Sequence, residues 1–191
     1  MDHAISVPSE EKARWSAVFS LFMGVTCLIS AEFIPVSLLT PIAEGLSISE
    51  GMAGQTVTSV GALAMMTSLL LAPLTRHIDR RRILLILSLL LIVSNLLVAS
   101  AENYGMLLVG RGLLGVCVGG FWSMASAVTI QLVPARDIPR ALSIIYAGVS
   151  VATIIALPLA SLLEKNFGWR NVFLLSVIPG TVSLFWQFLS L

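Results

Sequence analysis

The sequence predicts an all-α membrane protein with six transmembrane helices. Apolar residues make up 57% of the 191 residues and charged residues only 11%, whereas a soluble domain carries about 25% charged residues. Crossing the hydrocarbon core takes about 20 apolar residues of helix, and six stretches reach that length. A polar N-terminal tail over residues 1–15 precedes one bundle over 16–191, with spans one to six at 16–39, 52–74, 83–100, 106–132, 142–163 and 172–191.

The distribution of Lys and Arg predicts which way the bundle faces. The loops on one side carry Lys165 and Arg170 together with four glutamates. Basic residues collect on the other side, at the N-terminus, between spans two and three, and between spans four and five: Lys12, Arg14, Arg76, Arg80, Arg81, Arg82, Arg136 and Arg140. Since Lys and Arg are retained on the cytoplasmic side, both termini are expected in the cytoplasm, which agrees with an even number of spans.

Two charged residues lie well inside spans, Glu32 in span one and Arg111 in span four. A charge within the membrane is costly and needs a partner or a wet cavity. At about 1.5 Å per residue, Glu32 lies roughly 6 Å and Arg111 roughly 11 Å to the outer side of the midpoints of their spans. The difference in depth, about 5 Å by the same rise, is within reach of the two side chains. A contact is therefore expected if spans one and four are neighbours.

Two interpretations of this pair are open. It is either a structural ion pair that fixes helix packing or a proton-coupling pair that faces a transport pathway. Burial favours the protonated form of a carboxyl and a nearby guanidinium favours the ionised form, so a conformational change that alters either effect moves a proton on or off Glu32. Arg111 keeps its proton at any ordinary pH. In the second interpretation Glu32 is the proton carrier and Arg111 its electrostatic switch.

Span four carries further candidate site residues. Arg111 and Trp122 are eleven residues apart, about three helical turns, so they share a face. Gly115, Gly119 and Ser126 lie on or near that face, where small side chains leave room for a neighbouring helix or a substrate. Trp122 offers a flat surface for a ring, or is an ordinary packing aromatic. Polar residues in spans, Gln55 among them, either face the cavity or hold helices together. The candidate substrate cavity is lined by Phe33, Gln55, Trp122 and Ser126.

Span five carries a stripe of small residues at intervals of four, and Pro158 bends the span near its outer end. A stripe of this kind lets another helix approach closely. Because such a face needs a partner helix, it predicts that a second six-helix half or subunit packs against this chain. The stripe consists of Gly148, Ala152, Ala156 and Ala160.

Several segments together resemble one family. They are Glu32-Phe33, Pro35-Val36-Ser37-Leu38-Leu39-Thr40-Pro41, Ile48-Ser49-Glu50-Gly51 with Ala53-Gly54-Gln55, Gly119-Gly120-Phe121-Trp122, and Gly168-Trp169-Arg170-Asn171-Val172-Phe173. With these segments, nearly the whole chain resembles the N-terminal six-helix half of a major facilitator superfamily transporter, in the drug:proton antiporter group. The resemblance implies two inverted three-helix repeats and a substrate bound between two such halves. It also makes spans one and four neighbours.

The family's motifs map onto this chain with some departures. Arg111 with Gly115 and Gly119 is similar to the span-four motif associated with proton coupling. The span-five stripe with Pro158 resembles the antiporter motif, although alanines stand at 156 and 160 where glycines are typical. The loop 72–81 resembles the cytoplasmic gating motif, but Ala72, Arg76 and Asp79 replace its usual glycine, aspartate and later glycine. The alternative for this loop is a basic cluster that only sets orientation. Its candidate gating residues are Arg76, Asp79, Arg80 and Arg81.

The resemblance implies a proton-coupled antiporter of the bacterial inner membrane that exports a small ring-bearing substrate such as a purine ribonucleoside, with sugars or drugs as alternative substrates. The proton gradient would supply the energy, with no cofactor and no metal. The expected partners are the lipid bilayer, the substrate, protons and a second six-helix half, and no nucleic acid. An enzyme is not expected, because no span carries a nucleophile–base pair or a metal-ligand cluster. The alternative is a half-length chain that does not transport alone and acts as a membrane-embedded partner.

Overall fold

The computed structural model of the chain describes residues 13–75 and 77–191. Most of the predicted tail 1–15, and Arg76 of the predicted gating loop, therefore lie outside the described residues. In the described part the regular structure is helical: α1 (Trp15–Ser37), α2 (Leu39–Leu46), α3 (Glu50–Leu74), α4 (Arg80–Ala99), α5 (Tyr104–Leu132), a 3-10 turn (Ala135–Asp137), α6 (Ile138–Phe167) and α7 (Trp169–Ser190).

Six of these helices, all except α2, are long and apolar enough to cross a membrane, which confirms the predicted all-α fold with six spans. Capping residues explain several of the helix ends. The side chains of Ser49, Asp79 and Asn103 accept backbone N–H groups in the first turns of α3, α4 and α5, which satisfies donors that a helix start leaves free. At the end of α6, Gly168 has a φ of 76°, a backbone conformation that glycine adopts easily.

The predicted span bounds differ from the helix bounds by up to four residues, and the differences at spans one and five have a clear physical reason. Span one was expected to reach residue 39, but α1 ends at Ser37 and the short α2 begins at Leu39. Pro35 stands in the last turn of α1 and cannot donate a backbone hydrogen bond there. Span five was expected over 142–163, but α6 has 30 residues, about 45 Å at 1.5 Å per residue. That exceeds the hydrocarbon core of about 30 Å, so the charged residues at both ends of α6 remain helical outside it.

Helices α3 and α4 pack along α5, while α6 and α7 pack along α1. The contact between α3 and α5 is close because α5 presents glycines to it. A Cβ on Gly115 would lie 2.6 Å from the carbonyl oxygen of Val60, and one on Gly119 would overlap the backbone of Ala64. The space that these glycines leave is therefore filled by α3.

The small-residue stripe of α6 packs against α1 of the same chain. Gly148, Ala152, Ala156 and Ala160 are all buried, and a Cβ on Gly148 would lie 2.8 Å from the carbonyl oxygen of Phe22 on α1. The prediction that this stripe receives a second six-helix unit is wrong, because α1 already occupies it. The spacing of small residues shows that a helix approaches closely, but carries no information about which helix it is. Pro158, also predicted in this motif, is exposed.

Candidate functional site

Arg111 is buried in the bundle, with 1% of its surface exposed, and its guanidinium reaches α1. Its Nη1 donates a hydrogen bond to the carbonyl oxygen of Ala31 at 2.8 Å, and its Nη2 donates to the backbone carbonyl oxygen of Glu32 at 3.1 Å. Spans one and four thus meet at the predicted pair of residues. They meet through the backbone of Glu32, however, and within the described residues no ion pair joins its carboxylate to Arg111.

Pro35 explains why Arg111 binds the backbone. In an α-helix the carbonyl of residue 31 accepts from the N–H of residue 35, and proline has no N–H. The carbonyl oxygen of Ala31 therefore lacks its usual donor, which is costly in a membrane because no water is present to replace it. Arg111 supplies the missing donor. The sequence signal was a proline four residues after Ala31, on the helix opposite a buried arginine.

One hydrogen-bond donor of Arg111 has no partner among the described residues. A guanidinium has five N–H groups, and the Nε of Arg111 is buried with no hydrogen-bond partner. A buried donor without a partner costs about 1–3 kcal/mol. The Glu32 side chain is half-buried on the residue whose carbonyl Arg111 already binds. The site therefore combines a carboxyl that is partly accessible with a buried cation that still has a free donor.

An aromatic pair lies farther along α5. The rings of Trp122 and Tyr146, which is on α6, are stacked with centroids 5.5 Å apart and planes 7° from parallel. Phe121 packs edge-on against Trp122 at 5.7 Å. One face of Trp122 is thus covered by Tyr146, which is itself 43% exposed. Tyr146 was not predicted as its partner, and no spacing links two residues on different helices.

The four residues predicted to line a substrate cavity do not form one cluster. Gln55 accepts a hydrogen bond from Tyr104 Oη at 3.1 Å, so it ties α3 to the start of α5. Trp122 lies 18 residues beyond Tyr104, about 27 Å along the helix axis, which separates Gln55 from it. Phe33 packs against the hydrophobic core, and Ser126 is exposed on α5.

The predicted gating loop is tied to its own helix and to α7. Asp79 accepts the backbone N–H of Arg81 at 3.0 Å and so caps α4. The Arg81 guanidinium donates to the carbonyl oxygen of Phe188 at 2.8 Å, and Arg80 is exposed. Asp79 therefore serves as a helix cap in this structure.

The family model described as Major Facilitator Superfamily matches residues 13–190. The chain is 47% identical over 180 residues to the purine ribonucleoside efflux pump NepI of Escherichia coli (strain K12), and equally to that of Shigella dysenteriae serotype 1 (strain Sd197). These alignments cover 94% of this chain and 46% of each relative, so the chain spans about half the length of the curated relatives that it matches.

Solved structures show the same fold at low sequence identity. The D-xylose–proton symporter superposes with a TM-score of 0.81 at 15% identity, covering 93% of this chain and 48% of that one. An inward-facing bacterial homologue of the human lysosomal transporter Spinster superposes with a TM-score of 0.80 at 15% identity, covering 96% of this chain and 44% of that one. At this level of identity the likeness concerns the fold alone.

Proposed function

Because the chain belongs to the major facilitator superfamily, we propose that this six-helix unit works in proton-driven export of a small ring-bearing solute, of the purine ribonucleoside class, across the bacterial inner membrane. The identity of 47% to purine ribonucleoside efflux pumps supports the substrate class. The excess of Lys and Arg on one side supports cytoplasmic termini. The proton gradient supplies the energy, and no cofactor takes part.

One observation supports the proton-coupling proposal: the buried Arg111 donates hydrogen bonds to the backbone of α1 at Ala31 and at Glu32 itself. An ionised Glu32 carboxylate near the Nε of Arg111 gains a charge-assisted hydrogen bond and removes the cost of the unpartnered donor. A protonated Glu32 loses most of that attraction. Proton uptake and release at Glu32 therefore change how strongly α1 is held against α5.

Pro35 gives this change a place to act. The C-terminal end of α1 is held by hydrogen bonds from the Arg111 side chain in place of a regular helical bond, and proline positions are where helices bend. We expect loading of a proton on Glu32 to loosen the contact and to let the end of α1 move relative to α5. Alternating access in transporters of this kind is movement of helical bundles about a central site. A proton-dependent contact between α1 and α5 therefore couples proton binding at Glu32 to alternating access.

The stacked pair of Trp122 and Tyr146 supports a planar substrate. Aromatic rings prefer offset-stacked or edge-on contacts with other rings, and both members of the pair retain accessible surface. A purine base stacks on such a surface, whereas a sugar without a planar ring gains less. The alternative of a non-transporting partner loses its main support, because the stripe of α6 is filled by α1.

Inverted membrane vesicles test the proposal. Addition of a purine ribonucleoside to vesicles with an acidic interior is expected to drive proton release, read as recovery of a quenched pH-sensitive dye. Glu32→Gln should abolish the release while the protein remains inserted, and Glu32→Asp should retain part of it. Glu102→Gln, at an exposed loop position, is the matched control and should behave as wild type. Unchanged substrate-driven proton release from Glu32→Gln vesicles would refute proton coupling through Glu32.

A further inference from the structure

A second feature lies on the outer surface of the bundle, away from Glu32 and Trp122. Helices α4 and α7 leave an apolar groove between them, with a volume of about 460 Å³. Its side chains point away from the bundle: Ile86 is 60% exposed, Leu89 53% and Phe185 64%. The groove is lined by Leu85, Ile86, Leu89, Thr181, Leu184, Phe185 and Phe188. In a membrane such a surface faces acyl chains.

The end of this groove is basic. The Arg81 guanidinium lies 5.8 Å from the centre of the Phe188 ring, at the groove's margin, and uses one donor on the Phe188 carbonyl. Arg82 stands three, four and seven residues before Leu85, Ile86 and Leu89, so it shares their face of α4. Arg82 is exposed, and within the described residues it makes no hydrogen bond or ion pair.

A polar cavity adjoins the groove at Arg81. It has a volume of about 280 Å³ and brings Arg80 and Arg81 together with Arg14, Asp79 and Gln131. Arg14 donates hydrogen bonds to the backbone oxygens of Ser190 and Leu191, and Leu191 also lines the cavity. The Asp79 carboxylate is engaged with the backbone of α4, and the charges of the three arginines exceed that of Asp79. Cations at the start of a helix are also repelled by its dipole. The cavity therefore favours an anion, and Arg81 connects it to the apolar groove.

The dimensions fit one leaflet of a bilayer. From Arg82 to Leu89 the groove runs along seven residues of α4, about 10 Å of helix axis. One leaflet contributes about 15 Å of the hydrocarbon core. An anionic group held by the arginines thus lies at the membrane surface, while a chain attached to it follows the groove into the leaflet. The charge distribution of the sequence predicts that this is the cytoplasmic leaflet, the one that basic pockets between transmembrane helices exploit.

We propose that the groove and its adjoining cavity form a binding site for one anionic phospholipid, with the phosphate on Arg80, Arg81 and Arg82 and an acyl chain between α4 and α7. Arginine suits this role because its planar guanidinium binds phosphate oxygens in pairs. The bound lipid contacts α4 and α7 together along their exposed, apolar side. The site selects a lipid that has both a negatively charged headgroup and an acyl chain.

The test uses the protein purified in detergent and titrated with phosphatidylglycerol, with the rise in thermal unfolding midpoint as the readout. Arg80→Gln combined with Arg82→Gln removes two phosphate contacts and leaves the bond from Arg81 to Phe188 intact. We expect an apparent affinity about 30-fold weaker, which corresponds to about 2 kcal/mol at 1.4 kcal/mol per tenfold. Leu89→Trp, which fills the groove, should weaken binding without any change of charge.

Three controls make the outcome decisive. Arg136→Gln combined with Arg140→Gln removes the same charge from the same side of the bundle and should leave the affinity for phosphatidylglycerol unchanged. An equal loss of affinity in this variant would overturn the proposal, because general surface charge would then explain the binding. Phosphatidylcholine with the same chains and glycerophosphoglycerol without chains should each stabilise far less. Stabilisation by either of these two compounds equal to that by phosphatidylglycerol would overturn the proposal. A dimer in native mass spectra that Leu89→Trp abolishes would also overturn it, because the groove would then hold a second copy of the chain.

Discussion

Pro35 and Arg111, on different helices, act on the same carbonyl oxygen. Pro35 removes the N–H that would bond to Ala31 within α1, and Arg111 donates to that oxygen at 2.8 Å from α5. The arginine therefore stabilises the C-terminal end of α1 in addition to any effect on Glu32. The structural and the proton-coupling interpretations of Arg111 are compatible, because one guanidinium has enough donors for both.

A double-mutant cycle separates these roles. Arg111→Met should lower the free energy of unfolding by about 1.5–3 kcal/mol, the range for a hydrogen bond to a charged group. In a Pro35→Ala background, residue 35 has an N–H to offer Ala31, so the same substitution should cost about 1 kcal/mol less. Denaturation by SDS in mixed micelles measures the four free energies. If the two substitutions changed the free energy of unfolding additively, this would contradict the conclusion that Pro35 and Arg111 act on the same carbonyl oxygen.

The close contact between α3 and α5 predicts a strong effect of one methyl group. Gly119→Ala places a Cβ against the backbone of Ala64, so the helices must separate, and overpacking of this kind costs about 1–3 kcal/mol. Gly54→Ala is the matched control on α3, because nothing lies within 4 Å of its added Cβ. It should stabilise the helix by about 0.5–1 kcal/mol. Thermal unfolding in detergent compares the two, and equal midpoints would count against the contact.

Burial of the α6 stripe against α1 predicts a difference in thiol reactivity. In a variant with Cys27 and Cys117 replaced by Ala, Ala152→Cys should react with a membrane-permeant maleimide at least about tenfold more slowly than Ile155→Cys. Ala152 is fully buried and Ile155 is 52% exposed, and protection of a buried group requires local opening. Mass spectrometry of the labelled protein follows both rates. Formation of a disulfide-linked dimer through Ala152→Cys would show that the stripe is free.

The aromatic pair predicts substrate affinity. Trp122→Ala should weaken binding of a purine ribonucleoside about tenfold, since aromatic contacts contribute about 0.5–1.5 kcal/mol beyond the buried area. Trp122→Phe should lose less, and Tyr146→Phe, which keeps the ring, should bind nearly as wild type. Equilibrium dialysis with a labelled nucleoside gives the dissociation constants. An unchanged affinity in Trp122→Ala would remove this pair from the substrate site.

The number of spans was predictable from sequence because the membrane imposes one strong condition. Backbone groups within the hydrocarbon core find almost all their hydrogen-bond partners inside their own helix, because no water is available there. A long apolar run therefore folds as a helix. Helix ends were less predictable. Arg140 and Lys165 mark the limits of the apolar run in span five, yet both lie within α6. A helix can continue beyond the hydrocarbon core into the headgroup region, where its charged side chains are solvated.

Contacts between helices were predictable only where the partner was set by the resemblance. The pairing of spans one and four came from the family's repeats, and the depths of Glu32 and Arg111 then placed them together. The atoms that meet did not follow, because they depend on how Pro35 changes the backbone of α1. The stacking of Trp122 on Tyr146 depends on the rotation of α6 about its axis, which α1 sets by filling the small-residue stripe.

The hydrogen bond between Ala31 and Arg111 joins residues 80 positions apart, and this has a consequence for biogenesis. At about 5–20 residues per second, a ribosome needs roughly 4 to 16 s to make the chain between them. Through that interval α1 has been synthesised while the donor for its open carbonyl has not. The first helix therefore lacks the donor for this carbonyl until the fourth span has been made, and its contacts with α6 and α7 form later still.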